Sequence, residues 1–371
     1  MRKLFRWSAP ALLGAFMALA GLATPGARQA EAQTASKTEK APAKLKSIKI
    51  LATGGTIAGA GTAGGYGYKA GSFKVEDLIK AVPNMDKLAR LGGEQVANIG
   101  SQDMNDEVWL KLAKRANQVL DEAGTNGIVI THGTDTLEET SYFLHLVLKS
   151  EKPVVMVGSM RPATATSADG PANLYDAVAA ATDDNARGRG VMVVLNDEIH
   201  SARNVIKTNT TSLQTFESPM RGPLGFVHTG KIDWFERMNK RHTSQSEFSV
   251  DNLQALPRVD IIYAHSNMSV DLIQAAIDRG AKGIVVAGVG DGNMSKAALD
   301  LLAAAVKRGV VVVRASRVES GIVLRNNEVD DDKMGFVASA ELNPPKSRVL
   351  LQLALTKTTN PKDVQRMFNE Y

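Results

Sequence analysis

The chain has 371 residues, of which 44% are hydrophobic and 22% charged, and its formal net charge is +5; these values describe an ordinary globular protein large enough for two domains. It contains no cysteine, which excludes disulfides, thiolate nucleophiles, zinc–thiolate sites and iron–sulfur clusters. Lysines and arginines are interspersed with acidic residues, and this distribution argues against a nucleic-acid partner.

The N-terminus has the composition of an export signal. Three basic residues among the first six precede an uncharged stretch over residues 7–23, and Ala30-Glu31-Ala32 provides a small-x-small cleavage site. We therefore predict a signal peptide over residues 1–32, with a membrane anchor as the alternative. Its removal takes away four basic side chains and one acidic one, which lowers the charge from +5 to +2. The polar residues 33–43 are predicted to be a flexible tether, and the product to be periplasmic or secreted, with no membrane partner after cleavage.

Short β-branched runs alternate with helical patterns from residue 48 onward. Residues 105–122 carry a helical stripe of apolar side chains that stops at Gly124. Four runs are apolar almost throughout, as expected of parallel strands covered on both faces, and predict strands at residues 48–53, 127–131, 153–158 and 190–196. This order predicts an α/β fold whose larger, N-terminal domain, residues 44–236, has a flavodoxin- or Rossmann-like parallel sheet.

A second, shorter α/β series follows. Strands are predicted at residues 259–264, 283–288 and 309–314, and helices at residues 270–279 and 295–308. These elements predict a smaller C-terminal α/β domain over residues 258–371. The polar residues 237–257 between the two series are predicted to be the interdomain linker.

A glycine-rich segment, residues 54–71, follows the first predicted strand. Its Gly59–Gly64 part matches the dinucleotide-binding pattern, but the next helical pattern begins only near Lys74, so a nucleotide cradle is disfavoured. Glycines spread around Tyr66 and Tyr68 predict a mobile lid, with a surface loop as the alternative.

Two threonines, Thr56 and Thr134, stand in Gly-Thr turns that follow predicted strands. A hydroxyl at the carboxyl end of a buried strand, framed by glycines, is placed for nucleophilic attack. In the second turn, Asp135 or Thr136 is also a candidate helix cap. We expect His132 to satisfy local hydrogen bonds rather than to act as an acid or base.

Polar residues also precede the helix at residues 105–122. Asp103 or Asn105 is predicted to cap that helix, which leaves Ser101 and Gln102 as candidates for holding a small polar ligand. Lys207, taken alone, reads as a solvated surface charge. The six histidines include neither HExxH nor a close pair at i, i+4, so neither a metal site nor a cofactor is predicted.

Together these motifs resemble the bacterial type II L-asparaginases and the related glutaminase-asparaginases. The likeness runs from Ile48 to Tyr371. It is carried first by two threonine signatures, Ala52–Gly59 and Ile130–Thr136, which have the order and separation found in the family. Further similar segments are Gly100–Asp103, Val157–Pro162, Ser167–Gly170, Lys207–Thr210 and Leu342–Pro344.

The resemblance implies hydrolysis of the side-chain amide of L-asparagine, with L-glutamine as a secondary substrate, through a threonine acyl-enzyme and without a cofactor. Thr56 then matches the nucleophile and Tyr68 the lid tyrosine, with Tyr66 as the alternative. The resemblance also implies a second catalytic set, formed by Thr134, Asp135 and Lys207. Ser101, Gln102 and Asp135 are implied to bind the substrate's α-carboxylate and α-amino groups. Asn293 and Glu328 are implied to complete the site of a neighbouring subunit. The last of these implies a homotetramer.

Two alternatives remain open at this stage. One is a glutaminase-asparaginase of broad specificity, because the two amides differ by one methylene and pockets convert that difference into only about 1–3 kcal/mol. The other is a periplasmic amino-acid-binding protein without turnover, since two α/β domains and an export signal suit that role as well.

Overall fold

The computed structural model describes residues 44–61 and 67–371. The predicted signal peptide (1–32), the predicted tether (33–43) and Tyr66 lie outside the described residues. Lys44–Tyr371 form one compact unit. In the part of the chain that the structure describes, no helix combines the length and the apolar character needed to cross a membrane.

The described residues form sixteen strands and ten α-helices. The strands are β1 (Ser47–Gly54), β2 (Ala60–Gly61), β3 (Tyr68–Lys69), β4 (Arg90–Ile99), β5 (Gly127–Thr131), β6 (Val154–Val157), β7 (Val191–Leu195), β8 (Glu198–Ser201), β9 (Ile206–Lys207), β10 (Phe216–Glu217), β11 (Gly225–His228), β12 (Lys231–Trp234), β13 (Val259–Tyr263), β14 (Gly283–Gly288), β15 (Val311–Ser316) and β16 (Phe336–Ala338). The helices are α1 (Val75–Ala81), α2 (Met85–Leu88), α3 (Asp106–Asp121), α4 (Leu137–Val147), α5 (Gly170–Thr182), α6 (Asp271–Asp278), α7 (Lys296–Val306), α8 (Asp331–Met334), α9 (Pro344–Ala354) and α10 (Pro361–Glu370).

An eight-stranded sheet organises the N-terminal region, in the order β12-β11-β8-β7-β6-β5-β1-β4. Strands β7, β6, β5, β1 and β4 are parallel, and β8, β11 and β12 add an antiparallel edge. A four-stranded parallel sheet, β13-β14-β15-β16, follows in the C-terminal region. The predicted α/β fold with a larger and a smaller parallel sheet is therefore confirmed, and each predicted strand and helix agrees with the structure to within two residues at its ends.

The central strands are apolar throughout because both faces of the sheet are covered. Successive residues of a strand point to opposite faces. In β5, Ile128 and Ile130 accordingly join the core under α3 and α4, whereas Val129 joins the core under α5. This double burial explains why these strands lack the polar alternation of a half-exposed sheet.

The two regions share one of these cores. The cluster under α3 and α4 continues into Val285 and Val313 of the smaller sheet and into α9 and α10. The predicted linker, residues 237–257, contains a 3₁₀ turn, and its Phe248 and Val250 are fully buried in the same cluster. This segment thus packs as part of the interior, while the domain boundaries drawn from the sequence stay a prediction.

Candidate active site

Two glycines shape the turn that carries Thr56. Thr56 begins a 3₁₀ turn, Thr56–Ala58, immediately after β1 and is 6% exposed. Gly54 and Gly55 precede it with φ values of 104° and 82°, a conformation that side chains with a Cβ rarely adopt. A Cβ on Gly55 would also lie 2.5 Å from Cα of Gly133. The turn after β1 therefore touches the turn after β5, backbone to backbone.

Strand order explains this meeting of the two Gly-Thr turns. Strands β1 and β5 are neighbouring parallel strands, with Ala52 beside Thr131. The side chain of Thr53 adds a hydrogen bond of 2.9 Å to the carbonyl oxygen of Thr131. Because parallel strands end at the same edge of a sheet, the segments that contain Thr56 and Thr134 emerge side by side.

Lys207 joins the second turn from a distant part of the chain. It lies on β9, which pairs with β10. Its Nζ donates hydrogen bonds to Thr134 Oγ1 at 3.0 Å and to Asp135 Oδ1 at 2.7 Å. Thr134 is 6% exposed, and the side chain of Lys207 is 18% exposed. An ammonium so placed stabilises negative charge that develops on the hydroxyl oxygen.

Ser101 connects this cluster to the loop that follows β4. It is buried, and its Oγ accepts a hydrogen bond of 3.1 Å from the backbone nitrogen of Asp135. The hydroxyl of Thr136 in turn donates to the carbonyl oxygen of Ser101 at 2.7 Å. Gln102 and Asp135 are exposed, so their side chains are accessible to a ligand. Ser101, Thr134, Asp135 and Lys207, all predicted site residues, are thus brought together, and Gln102 follows Ser101 in the same turn.

One of the two predicted helix caps is confirmed by the structure, and the other is not. Asn105 caps α3, with its side chain accepting from the backbone nitrogen of Val108, as predicted. Thr136 occupies the cap position of α4, but no side-chain cap bond is made there. The reason is that the side chains of Thr136 and Asp135 are engaged by Ser101 and Lys207 instead.

The glycine-rich segment is described at its two ends. Backbone pairing joins Tyr68 to Gly61, so the position of the predicted lid tyrosine falls on a short antiparallel strand. The next helix, α1, begins at Val75, in agreement with the argument against a nucleotide cradle. Asn98, to which the sequence assigned no role, donates from Nδ2 to the carbonyl oxygen of Gly71 at 3.0 Å and anchors the end of the segment. An isolated asparagine at a strand end carries no sequence signal for that role.

His132 is buried beneath the Thr134 turn. Its Nδ1 donates to the carbonyl oxygen of Gly133 at 2.6 Å, which agrees with the expected local bonding. Complete burial lowers the pKa of His132 to about 4, so the ring is neutral at physiological pH.

Asn293 and Glu328 form a separate pair in the C-terminal region. The amide Nδ2 of Asn293 donates to Glu328 Oε2. The neighbouring Asp291 accepts from the backbone nitrogen of Leu324 at 2.8 Å and from Asn327 Nδ2 at 3.0 Å, which orders the loop that carries Glu328. The structure thus brings these two residues to each other, whereas hydrogen bonds join Thr134, Asp135 and Lys207 into a cluster with Ser101.

Comparison with known proteins assigns the chain to a family. The family model described as "Asparaginase, N-terminal" matches residues 47–240, and that described as "Glutaminase/Asparaginase C-terminal domain" matches residues 258–368. A "Probable L-asparaginase periplasmic" of Haemophilus influenzae is 55% identical over 330 residues, 89% of this chain and 94% of that protein. "L-asparaginase 2" of Escherichia coli is 55% identical over 328 residues, 88% of this chain and 94% of that protein. A "Glutaminase-asparaginase" of Pseudomonas fluorescens is 48% identical over 339 residues, 91% of this chain and 93% of that protein. The chain therefore belongs to the asparaginase family and is an enzyme, an amidohydrolase of that family.

Proposed function

We propose that this protein hydrolyses L-asparagine to L-aspartate and ammonia, with L-glutamine as a secondary substrate. The observation that carries the proposal is the contact of Lys207 with both Thr134 Oγ1 and Asp135, beside the turn that holds Thr56. The names of the relatives from Haemophilus influenzae and Escherichia coli support asparagine as the substrate.

Thr56 is the nucleophile in this mechanism. Its Oγ forms a bond to the carboxamide carbon, the bond from carbon to nitrogen breaks, and the hydroxyl proton leaves with the amide nitrogen as ammonia. Water then cleaves the resulting ester, releases aspartate and restores the hydroxyl. An alcohol is a weak nucleophile at its free pKa, so the step needs neighbouring groups that move the proton and stabilise the developing charge.

The second set supplies those groups. Lys207 donates a hydrogen bond to Thr134 Oγ1, and its second hydrogen bond, to Asp135, keeps the ammonium oriented toward Thr134. Thr134 and Lys207 thereby relay a proton to or from the reacting centre, and we assign Tyr68 as the tyrosine that the lid segment contributes, with Tyr66 as the alternative. The exposed Asp135 pairs with the substrate's α-ammonium, and Ser101 and Gln102 hold its α-carboxylate.

We further infer an oligomer in which Asn293 and Glu328 complete the site of a neighbouring subunit, in a tetramer built from dimers. A patch of exposed apolar side chains near Glu328 supports a subunit contact there: Val318, Ile322 and Leu324 are 52%, 49% and 50% exposed. Large apolar side chains grouped in this way on a surface are typical of interaction sites.

Export to the periplasm is part of the proposal. The predicted signal peptide and the word "periplasmic" in the name of the Haemophilus influenzae relative both support it. Mass spectrometry of the mature protein from a periplasmic fraction tests this directly, since we expect an N-terminus near residue 33.

Broad specificity is the second candidate, favoured by the glutaminase-asparaginase relative at 48% identity. Measurement of kcat/KM for both amides separates the candidates. A ratio near one supports broad specificity, whereas a ratio of ten or more in favour of asparagine corresponds to at least about 1.4 kcal/mol of discrimination.

Release of ammonia from asparagine is the test of the mechanism. We expect Thr56→Ala and Thr134→Ala each to lower kcat at least about 1,000-fold while the protein stays folded by circular dichroism. Thr125→Ala is the matched control, because Thr125 is a threonine of equal burial, 6% exposed, located just before β5 at the opposite end of the strand from Thr134. Full activity in either site variant would refute the mechanism.

A further inference from the structure

A buried lysine from the C-terminal region lies behind the catalytic cluster. Lys346 is in the first turn of α9 and is only 1% exposed. An ammonium taken out of water is costly unless it is paired and hydrogen-bonded. The groups that bond to the Lys346 ammonium therefore indicate which parts of the structure this residue holds in place.

The first of these groups lies at the base of the strand that carries Lys207. Lys346 Nζ donates to the carbonyl oxygen of Val205, which is fully buried two residues before Lys207. From there β9 pairs with β10, with Lys207 beside Phe216. A shift of Val205 would therefore carry Lys207 with it.

The second group lies in the helix that follows Thr134. Glu138 Oε2, in the first turn of α4, is 3.8 Å from Lys346 Nζ. Asn343, the N-cap of α9, donates from Nδ2 to Glu138 Oε1 at 3.5 Å. The N-terminal turn of α9 thus contacts the helix turn that begins three residues after Thr134.

Acidic and basic side chains both lie near Lys346. Burial, with a smaller contribution from Arg203 in the loop after β8, lowers the pKa of Lys346 to about 8, while Glu138 and Glu139 on α4 oppose that shift. The ammonium is therefore charged at neutral pH and is lost progressively at higher pH.

We propose that Lys346 is a positioning residue: it ties the strand that carries Lys207 to the helix that follows Thr134 and Asp135, and so sets the contacts of Lys207 with these two side chains. The inference rests on the proposed function, in which that cluster is catalytic. It concerns the same subunit's site and is separate from the role inferred for Asn293 and Glu328. Because misplacement of a catalytic group by about 1 Å can cost roughly 100-fold in rate, a fixed distance here has a measurable consequence.

Replacement of the lysine tests the proposal through kinetics. In Lys346→Met we expect kcat for asparagine to fall roughly 10- to 100-fold while KM changes less than about threefold. Lys346→Arg keeps a cation at the position and should recover part of kcat. It should also move the alkaline decline of activity, expected near pH 8 in the unaltered enzyme, to higher pH. Unchanged kcat in Lys346→Met would overturn the proposal.

A double variant separates positioning from simple loss of stability. Lys346→Met alone leaves Glu138 half-buried without its cation, so the thermal midpoint should fall. Adding Glu138→Gln removes that charge and should restore much of the midpoint but not kcat. If kcat recovers together with the midpoint, the role is structural only and the proposal fails. If Lys346→Met does not fold, kcat is measured on the double variant instead.

Two further variants complete the design. Lys152→Met removes a lysine that donates to the carbonyl oxygens of Leu120 and Glu122 before β6, at the opposite edge of the sheet, and we expect its kcat to be unchanged. Lys207→Met tests the catalytic role that the proposed function gives to Lys207. Full activity in Lys207→Met would refute that role, whereas an inactive Lys207→Met beside a fully active Lys346→Met would refute only the positioning role.

Discussion

Gly55 shows how strongly the geometry of single residues constrains the site. Gly55→Ala places a Cβ 2.5 Å from Cα of Gly133 at a φ of 82°, so the two Gly-Thr turns must move apart. We expect a loss of at least about 2 kcal/mol in the free energy of unfolding and a large fall in kcat. Urea unfolding and ammonia release measure the two effects.

A second glycine provides the control for that substitution. A Cβ on Gly124 would meet no atom within 4 Å. Gly124→Ala should therefore leave stability and activity close to those of the unaltered protein. A Gly55→Ala protein as stable and active as Gly124→Ala would contradict the close contact of the turns.

The residues of the candidate site differ in how strong a signal they leave in the sequence. Thr56 and Thr134 were identifiable because glycine and threonine follow apolar runs within a few residues. Lys207 was assigned only through the family resemblance, because it reaches Thr134 across 73 positions of the chain. Lys346 and Glu138 were missed altogether. Nothing in the local sequence distinguishes a buried lysine from a solvated one, since its burial depends on the packing of α9 against α4.

At the scale of elements, α5 contains a buried carboxyl group whose ionisation makes the stability of the fold depend on pH. Asp176 is 6% exposed and hydrogen-bonds to Asp197, which lies in the tight turn between β7 and β8. Burial, reinforced by Asp197, raises the pKa of Asp176 from 3.8 to about 7. The folded state therefore favours the protonated form, and this group lowers stability as pH rises from about 4 through 7.

Replacing this carboxyl by an amide should remove that pH dependence. We expect Asp176→Asn to unfold at a higher temperature than the unaltered protein at pH 8, by about 1–3 kcal/mol in free energy, and at nearly the same temperature at pH 4, where the ionisation of this carboxyl in the unfolded state has only begun to weaken the fold. Asp233→Asn, which removes an exposed carboxylate from β12 of the same sheet, is the control for net charge. Equal effects of Asp176→Asn at the two pH values would contradict the assignment.

The strands that the sequence did not predict lie toward the edges of the sheets. Among the described residues β4 pairs only with β1. It contains Gly92 and Gly93 and leaves several of its residues partly exposed, so it has no continuous apolar run. β8, β11 and β12 are four residues each and antiparallel. Central parallel strands must be apolar on both faces, which made them predictable from composition. The edge strand β13 was predicted as well, although it is partly exposed.

At the scale of the whole molecule, the proposed sharing of sites between subunits predicts complementation. Glu328→Ala and Thr56→Ala chains should each be nearly inactive alone. After joint refolding, half of the pairs contain one of each chain, and one site of each mixed pair is intact, so about a quarter of full activity should return. Ammonia release before and after mixing measures it.

The control for complementation uses two substitutions that fall in the same part of the site. Thr56→Ala and Thr134→Ala change residues that one chain supplies together, so mixing these two proteins should restore nothing. Absence of recovery with Glu328→Ala as well would argue that each subunit's site is complete without its neighbour.

The core common to both sheets has a consequence for protein engineering. Tyr142 and Phe143 of α4 and Phe368 of α10 belong to one cluster with Phe248 from the segment between the two family regions. Fragments separated at that segment would each present this aromatic surface to water and precipitate. Chimeras between relatives should therefore exchange α3 and α4 together with α9 and α10, rather than join the parents at residue 250.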